Sequence, residues 1–231
     1  MTDTRTRADA ADEVGRGPLS RGAAFVYRML VLEGLLVVAL LPSLIVVLLL
    51  GRDASNVPFF TLALLPLAPA LVAAIAALRA WQRSPDLSPA RAFVLAYRRD
   101  LLPTLRWAAP ATMLLALLTF NLVHLDAVAG GTMIRPVLVV ILAVTIVWCG
   151  HMTAVTSAFH FRTRDAARIA LSRMLSQWRF SLGILSLVLV AGTLVLMVSE
   201  LALLMCGWAF AVLLELLARP VIADVTERFT R

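Results

Sequence analysis

The feature that most constrains this chain is an apolar run from Phe180 to Ala218. The run is 39 residues long and contains only two charged residues, Glu200 and Glu215. A single α-helix of that length would measure about 60 Å, twice the hydrocarbon thickness of a bilayer. We therefore expect the run to fold back on itself around Ser199 and Glu200 and to form two membrane-spanning helices.

Four further apolar stretches are long enough to cross a bilayer, since about 20 apolar residues suffice. The six spans are predicted at 29–50, 57–78, 107–128, 136–161, 180–198 and 201–219. Composition agrees, because only 15% of the residues are charged, whereas a soluble domain is roughly a quarter charged. We predict an all-α membrane helix bundle, with one domain at 24–222 between a disordered tail (1–23) and a short tail (223–231).

The distribution of positive charge predicts the orientation of the bundle. All 21 basic residues are arginine, and 19 of them lie in the N-terminal segment up to Arg28, in the segment after Ala218 and in two loops, 79–106 and 162–179. The other two are Arg52 and Arg135. Because cytoplasmic segments carry the excess of basic residues in membrane proteins, both termini are predicted to face the cytoplasm. A nucleic-acid partner is not expected, since the basic stretches contain no nucleic-acid-binding motif.

Both arginine-rich loops have the periodicity of an amphipathic helix. Apolar residues recur every four positions from Phe93 to Leu105 in the first loop, and at helical spacing from Ala167 to Trp178 in the second. We predict two interfacial helices whose arginines face the anionic headgroups of the lipid bilayer. An equally good interpretation is a cytoplasmic cap packed on the bundle, and the sequence leaves both open.

Several short motifs in the first half of the chain resemble those of a known family. They are Leu65-Pro66-Leu67-Ala68-Pro69-Ala70, Ala77-Leu78-Arg79-Ala80-Trp81, Arg91-Ala92-Phe93 and Tyr97-Arg98-Arg99. The pattern is similar to that of the YesL-like family of bacterial integral membrane proteins, a domain of unknown function, over nearly all of the chain after residue 20. This resemblance implies a protein of the bacterial cytoplasmic (inner) membrane, often encoded beside carbohydrate ABC transporters. Sugar ABC-transporter permease subunits are therefore expected as partners.

Polar residues inside the predicted spans are the candidates for a substrate-binding site. Glu33, His151 and Glu215 all fall in the cytoplasmic half of their spans. Charged groups at that depth usually face the bundle interior or water, so the three side chains would share one polar pocket if their spans are neighbours.

The competing interpretation of these carboxylates is structural. Glu33 would pair with Arg28 or Arg106 near the interface, and Glu215 would pair with Arg219 one helical turn later.

Function is the least constrained property. The sequence has no phosphate-binding glycine loop, no paired-cysteine metal motif and no His-Glu-x-x-His, so neither an enzyme nor a metal or cofactor is expected. Family analogy favours a non-enzymatic accessory or scaffold protein linked to carbohydrate uptake. The alternative is a small channel or secondary transporter built from proline-broken hairpins. Small residues four apart at Gly150, Ala154 and Ala158 fit either packing inside the bundle or a homo-oligomer.

Overall fold

The computed structural model describes residues 18–51, 53–84, 88–127, 130–159 and 161–229. In these ranges the chain is helical and contains no strand. The helices are α1 (Pro18–Leu49), α2 (Val57–Ala63), α3 (Leu67–Arg83), α4 (Pro89–His124), α5 (Gly131–Ala158), α6 (Thr163–Ser176), α7 (Trp178–Met197), α8 (Glu200–Met205) and α9 (Gly207–Phe229). Two short 3-10 helices, Ala54–Asn56 and Leu125–Ala127, precede α2 and follow α4.

Five helical stretches of the described chain are long and apolar enough to cross a membrane. They are Gly22–Leu49, Ala54–Arg83, Pro89–Ala127, Gly131–Ala158 and Trp178–Met197. They correspond to the first five predicted spans and indicate a multi-pass membrane protein. The predicted sixth span, 201–219, is divided, because α8 ends at Met205 and α9 begins at Gly207.

The long apolar run folds back where the sequence predicts. α7 ends at Met197, and the Ser199 side chain accepts a hydrogen bond from the Ala202 amide at 3.1 Å. This contact caps α8, because a helix start leaves its first amides without partners inside the helix.

The two ends of the predicted membrane domain differ from the structure. α1 begins at Pro18, so residues 18–23 of the predicted tail are helical, and residues 1–17 lie outside the described part. At the other end, α9 continues to Phe229 through most of the predicted 223–231 tail, whose last two residues are also outside it.

The first basic amphipathic segment is not a separate interfacial helix, contrary to the prediction. α4 runs without interruption from Pro89 through the third span to His124. Pro103 and Pro110 each remove one backbone donor, but the segment contains no glycine at which the helix could end. The interfacial segment and the span are therefore one helix.

The second amphipathic segment does form its own helix, α6. One face packs on the bundle through Ala166, Ile169 and Ala170, which are buried. Leu175, 90% exposed, and Leu171 lie on the opposite, open side. Packing on the bundle is thus confirmed for one face of α6, while contact of the other face with lipid stays a prediction.

α3 lies at the centre of the bundle, in contact with α1, α4, α5 and α9. It begins after a turn that ends in Pro66, and its alanines at 70, 73, 74 and 77 are fully buried. Small side chains let neighbouring helices approach closely, which explains how one helix contacts four others. This packing places the C-terminal end of α3 beside α9.

Candidate functional site

Glu33 lies at the middle of α1 and contacts the start of α9. Its Oε2 accepts a hydrogen bond from the backbone amide of Trp208 at 2.7 Å, and a Cβ added to Gly207 would lie 3.3 Å from the same oxygen. The first amides of a helix have no intrahelical partner and carry partial positive charge. Glu33 therefore caps α9 from a helix 175 residues earlier in the chain.

Glu215 is held by the arginine one turn later on the same helix, as the structural interpretation predicts. Arg219 Nε lies 3.1 Å from both carboxylate oxygens, and a terminal guanidinium nitrogen lies 2.9 Å from Oε2. Glu215 is only 3% exposed. For Glu33, the predicted arginine partner is wrong, since its hydrogen bond is with the Trp208 amide.

His151 lies on α5 and is fully buried where α5 packs against α7. Its Nε2 lies 3.1 Å from Ser181 Oγ, and that hydroxyl donates its proton to the Met174 carbonyl at 2.9 Å. Because a serine hydroxyl has one proton, Oγ must accept from the imidazole, which assigns the proton of the neutral ring to Nε2. The Phe180 ring meets the imidazole edge to face at 4.7 Å.

The three predicted site residues are thus bonded to three different groups, and no hydrogen bond or ion pair joins any two of them. Glu215 follows Trp208, the residue that Glu33 contacts, by seven positions along α9. Seven residues of α-helix span about 10 Å. The capping contact and the Glu215–Arg219 pair therefore occupy different levels of the bundle.

A cleft of about 490 Å³ lies between the C-terminal end of α3 and α9. Its charged and amide side chains are Arg79, Gln82, Arg83, Glu215, Arg219 and Glu227. Among the predicted site residues Glu215 lines this cleft, whereas Glu33 and His151 do not. The polar cavity at the arginine-rich end of the bundle is therefore built mainly from residues that the site prediction did not include.

The arginines of the cleft differ in how their charge is balanced. Arg219 is paired with Glu215 at 2.9 Å. Arg79 and Arg83 have no ion-pair partner among the described residues. In the sequence they appeared only as the basic flank of a span, because nothing local shows that α9 would form the opposite wall.

A second ion pair that sequence reasoning missed joins α6 to α9. Arg173 and Asp224 lie 2.8 Å apart, with side chains only 12% and 20% exposed. The pair is 51 positions apart in the chain, so only the packing of the two helices brings it together.

Comparison with known proteins shows a similarity to one family and indicates no function. Residues 25–122 match the model of a family described as protein of unknown function, DUF624. The match is shorter than the resemblance noted above but contains the motifs that carry it, and it is consistent with a YesL-like membrane family. No curated protein and no solved structure matches the chain significantly. Residues 25–122, which run from α1 through most of α4, are therefore similar to this DUF624 family of unknown function.

Proposed function

We propose that this protein is a non-enzymatic accessory or scaffold protein of the bacterial inner membrane, linked to carbohydrate uptake. The observation that carries the proposal is that the carboxylates inside the bundle serve the protein's own packing. Glu33 caps α9, Glu215 binds Arg219, and Asp100, 3% exposed, binds Arg99. A bundle fixed internally in this way is suited to rigid support, and the link to sugar import rests on the family resemblance.

The scaffold role is tested by recovering the tagged full-length chain from native membranes in a mild detergent. We expect permease subunits of a sugar importer to be enriched over a preparation from cells with the untagged protein. Enrichment should be stronger in cells grown on a sugar that induces the importer, because the partner is then abundant. Intact chain recovered without any permease under both growth conditions would contradict the proposal.

We further propose that α8 and α9 together form a sixth span, with both termini in the cytoplasm. Nineteen of the 21 arginines support this orientation. An even number of spans is required for the basic N-terminal segment and the basic end of α9 to lie on the same side.

Cysteine labelling checks this topology in a background whose two native cysteines are replaced by alanine. Ser55 and Thr132 are exposed in the predicted outer loops, and Ser84 and Ser176 are exposed at the predicted inner side. A membrane-impermeant maleimide should modify S55C and T132C in intact cells, but S84C and S176C only after permeabilisation. Labelling of S84C in intact cells would reverse the orientation.

A small channel or secondary transporter is the second candidate, and the interruption between α8 and α9 favours it. Transporters build binding sites from interrupted helices whose half-helix starts lie inside the membrane. Here the start of α9 is met by the carboxylate of Glu33 at 2.7 Å. Solute flux into liposomes containing the purified chain alone would support this candidate over the scaffold.

A further inference from the structure

We propose that the cleft between α3 and α9 binds a phosphate-bearing anion between the guanidinium groups of Arg79 and Arg83. An anionic lipid headgroup and a free phosphate both have this chemistry. The proposal does not depend on the scaffold role, since it concerns a site at one end of the bundle.

The first step of the argument is the placement of the two arginines. Arg79 and Arg83 are four residues apart in the last turns of α3, so they lie on one side of the helix. Like charges at this spacing destabilise a helix. Arg79 is also partly buried and lies within electrostatic range of Arg83 and Glu215.

The second step concerns the charges that face the pair from α9. Both carboxylate oxygens of Glu215 accept hydrogen bonds from Arg219, which leaves Glu227 as the other carboxylate of the cleft. Among the described residues that line the cleft, three guanidinium groups therefore face two carboxylates, and one of these carboxylates already binds Arg219. This described lining has a net positive charge that an anion would balance.

The third step is the chemistry and size of the cavity. Arginine presents a planar fork of donors that matches phosphate oxygens, and a charge-assisted bond of this kind is roughly twice as strong as a neutral one. Gln82, on the turn between the two arginines, adds an amide donor to the lining. About 490 Å³ accommodates a phosphate group with part of the molecule that carries it.

The favourable effect of a helix C-terminus on cations is the competing explanation for these arginines. It predicts that the two arginines stabilise the fold, whereas an anion site predicts that they add no stability to the protein without a bound anion. In lipid-free detergent without phosphate, we therefore expect Arg79→Gln and Arg83→Gln to leave the melting temperature unchanged or higher. A lower melting temperature in both variants would favour the structural explanation and count against the site.

Binding is measured on the full chain in a neutral detergent, by native mass spectrometry and by the shift in melting temperature. The probes are inorganic phosphate, short-chain phosphatidylglycerol and short-chain phosphatidylcholine, whose net charge is zero. We expect saturable binding of phosphate or phosphatidylglycerol and about tenfold weaker binding for each single arginine variant. Preference for phosphatidylglycerol over phosphate identifies a lipid site, and equal or stronger phosphate binding identifies a free-phosphate site.

Two variants make the test specific. Arg98→Gln removes the same charge from an exposed position of α4 outside the cleft, so it should leave affinity within about twofold of wild type. Glu227→Gln removes a carboxylate from the cleft and should tighten binding of the same probe. The proposal fails if neither anion binds saturably, if Arg98→Gln weakens binding as much as Arg79→Gln, or if Glu227→Gln weakens it.

Discussion

Replacing Glu33 with alanine should lower the free energy of unfolding by about 2–3 kcal/mol. The substitution removes the carboxylate that accepts the Trp208 amide at 2.7 Å and leaves the start of α9 without that partner. Inside a membrane no water replaces the lost acceptor, so the full cost of an unpaired amide is expected. Amide hydrogen exchange should also accelerate in the first turn of α9, because its cap is gone.

The size of this effect is checked by unfolding the purified chain with increasing sodium dodecyl sulfate, followed by far-ultraviolet circular dichroism. Glu33→Gln keeps a side-chain carbonyl acceptor and loses only the charge, so it should cost about 1 kcal/mol. Gly34→Ala is the matched control, since no atom lies within 4 Å of the added Cβ. If Glu33→Ala and Glu33→Gln unfold alike, the hydrogen bond is not what holds α9.

Gly150→Ala is expected to cost about 2 kcal/mol, because α5 and α7 meet there without room for a methyl group. An added Cβ would overlap Cδ1 of Ile184 and lie 2.8 Å from its Cγ1 and 3.2 Å from its Cγ2. Ile184 is itself only 5% exposed, so moving its side chain away from the added methyl group requires its buried neighbours to shift as well. The small-residue spacing noticed in the sequence at this position therefore serves packing inside the bundle.

A double-mutant cycle isolates this contact. Ile184→Val removes Cδ1, so Gly150→Ala should cost less in the Ile184→Val background than in the wild type, by the amount of the relieved overlap. Gly192→Ala on α7, where nothing lies within 4 Å, should be neutral or stabilising, because alanine favours helix over glycine by about 1 kcal/mol. Additive costs in the cycle would show that Ile184 is not the obstacle.

The candidate site was predictable only where its contacts are local in sequence. The Glu215–Arg219 pair follows from four-residue spacing on one helix, and the structure confirms it. The partner of Glu33 could not be predicted from sequence, because it is a backbone amide 175 residues away and no pattern of side chains indicates it. The cleft escaped prediction for the same reason, since α3 and α9 supply its two walls.

The two helix interruptions also differ in whether the local sequence predicts them. The break before α3 coincides with Pro66, which cannot donate a backbone hydrogen bond, so the sequence itself indicates it. The break between α8 and α9 has no proline; it lies at Cys206, beside Gly207, where the carboxylate of Glu33 supplies an acceptor for the new helix start.

The sequence by itself determined the membrane environment, the first five spans and the fold-back near Ser199. The insertion of an apolar segment into a bilayer and the capping of a helix start both depend on residues that are neighbours along the chain. The tertiary structure alone decided the capped start of α9 and the arginine cleft. These features arise where helices distant in sequence pack together. The interactions that stabilise them join two helices, so the sequence of either helix alone does not predict them.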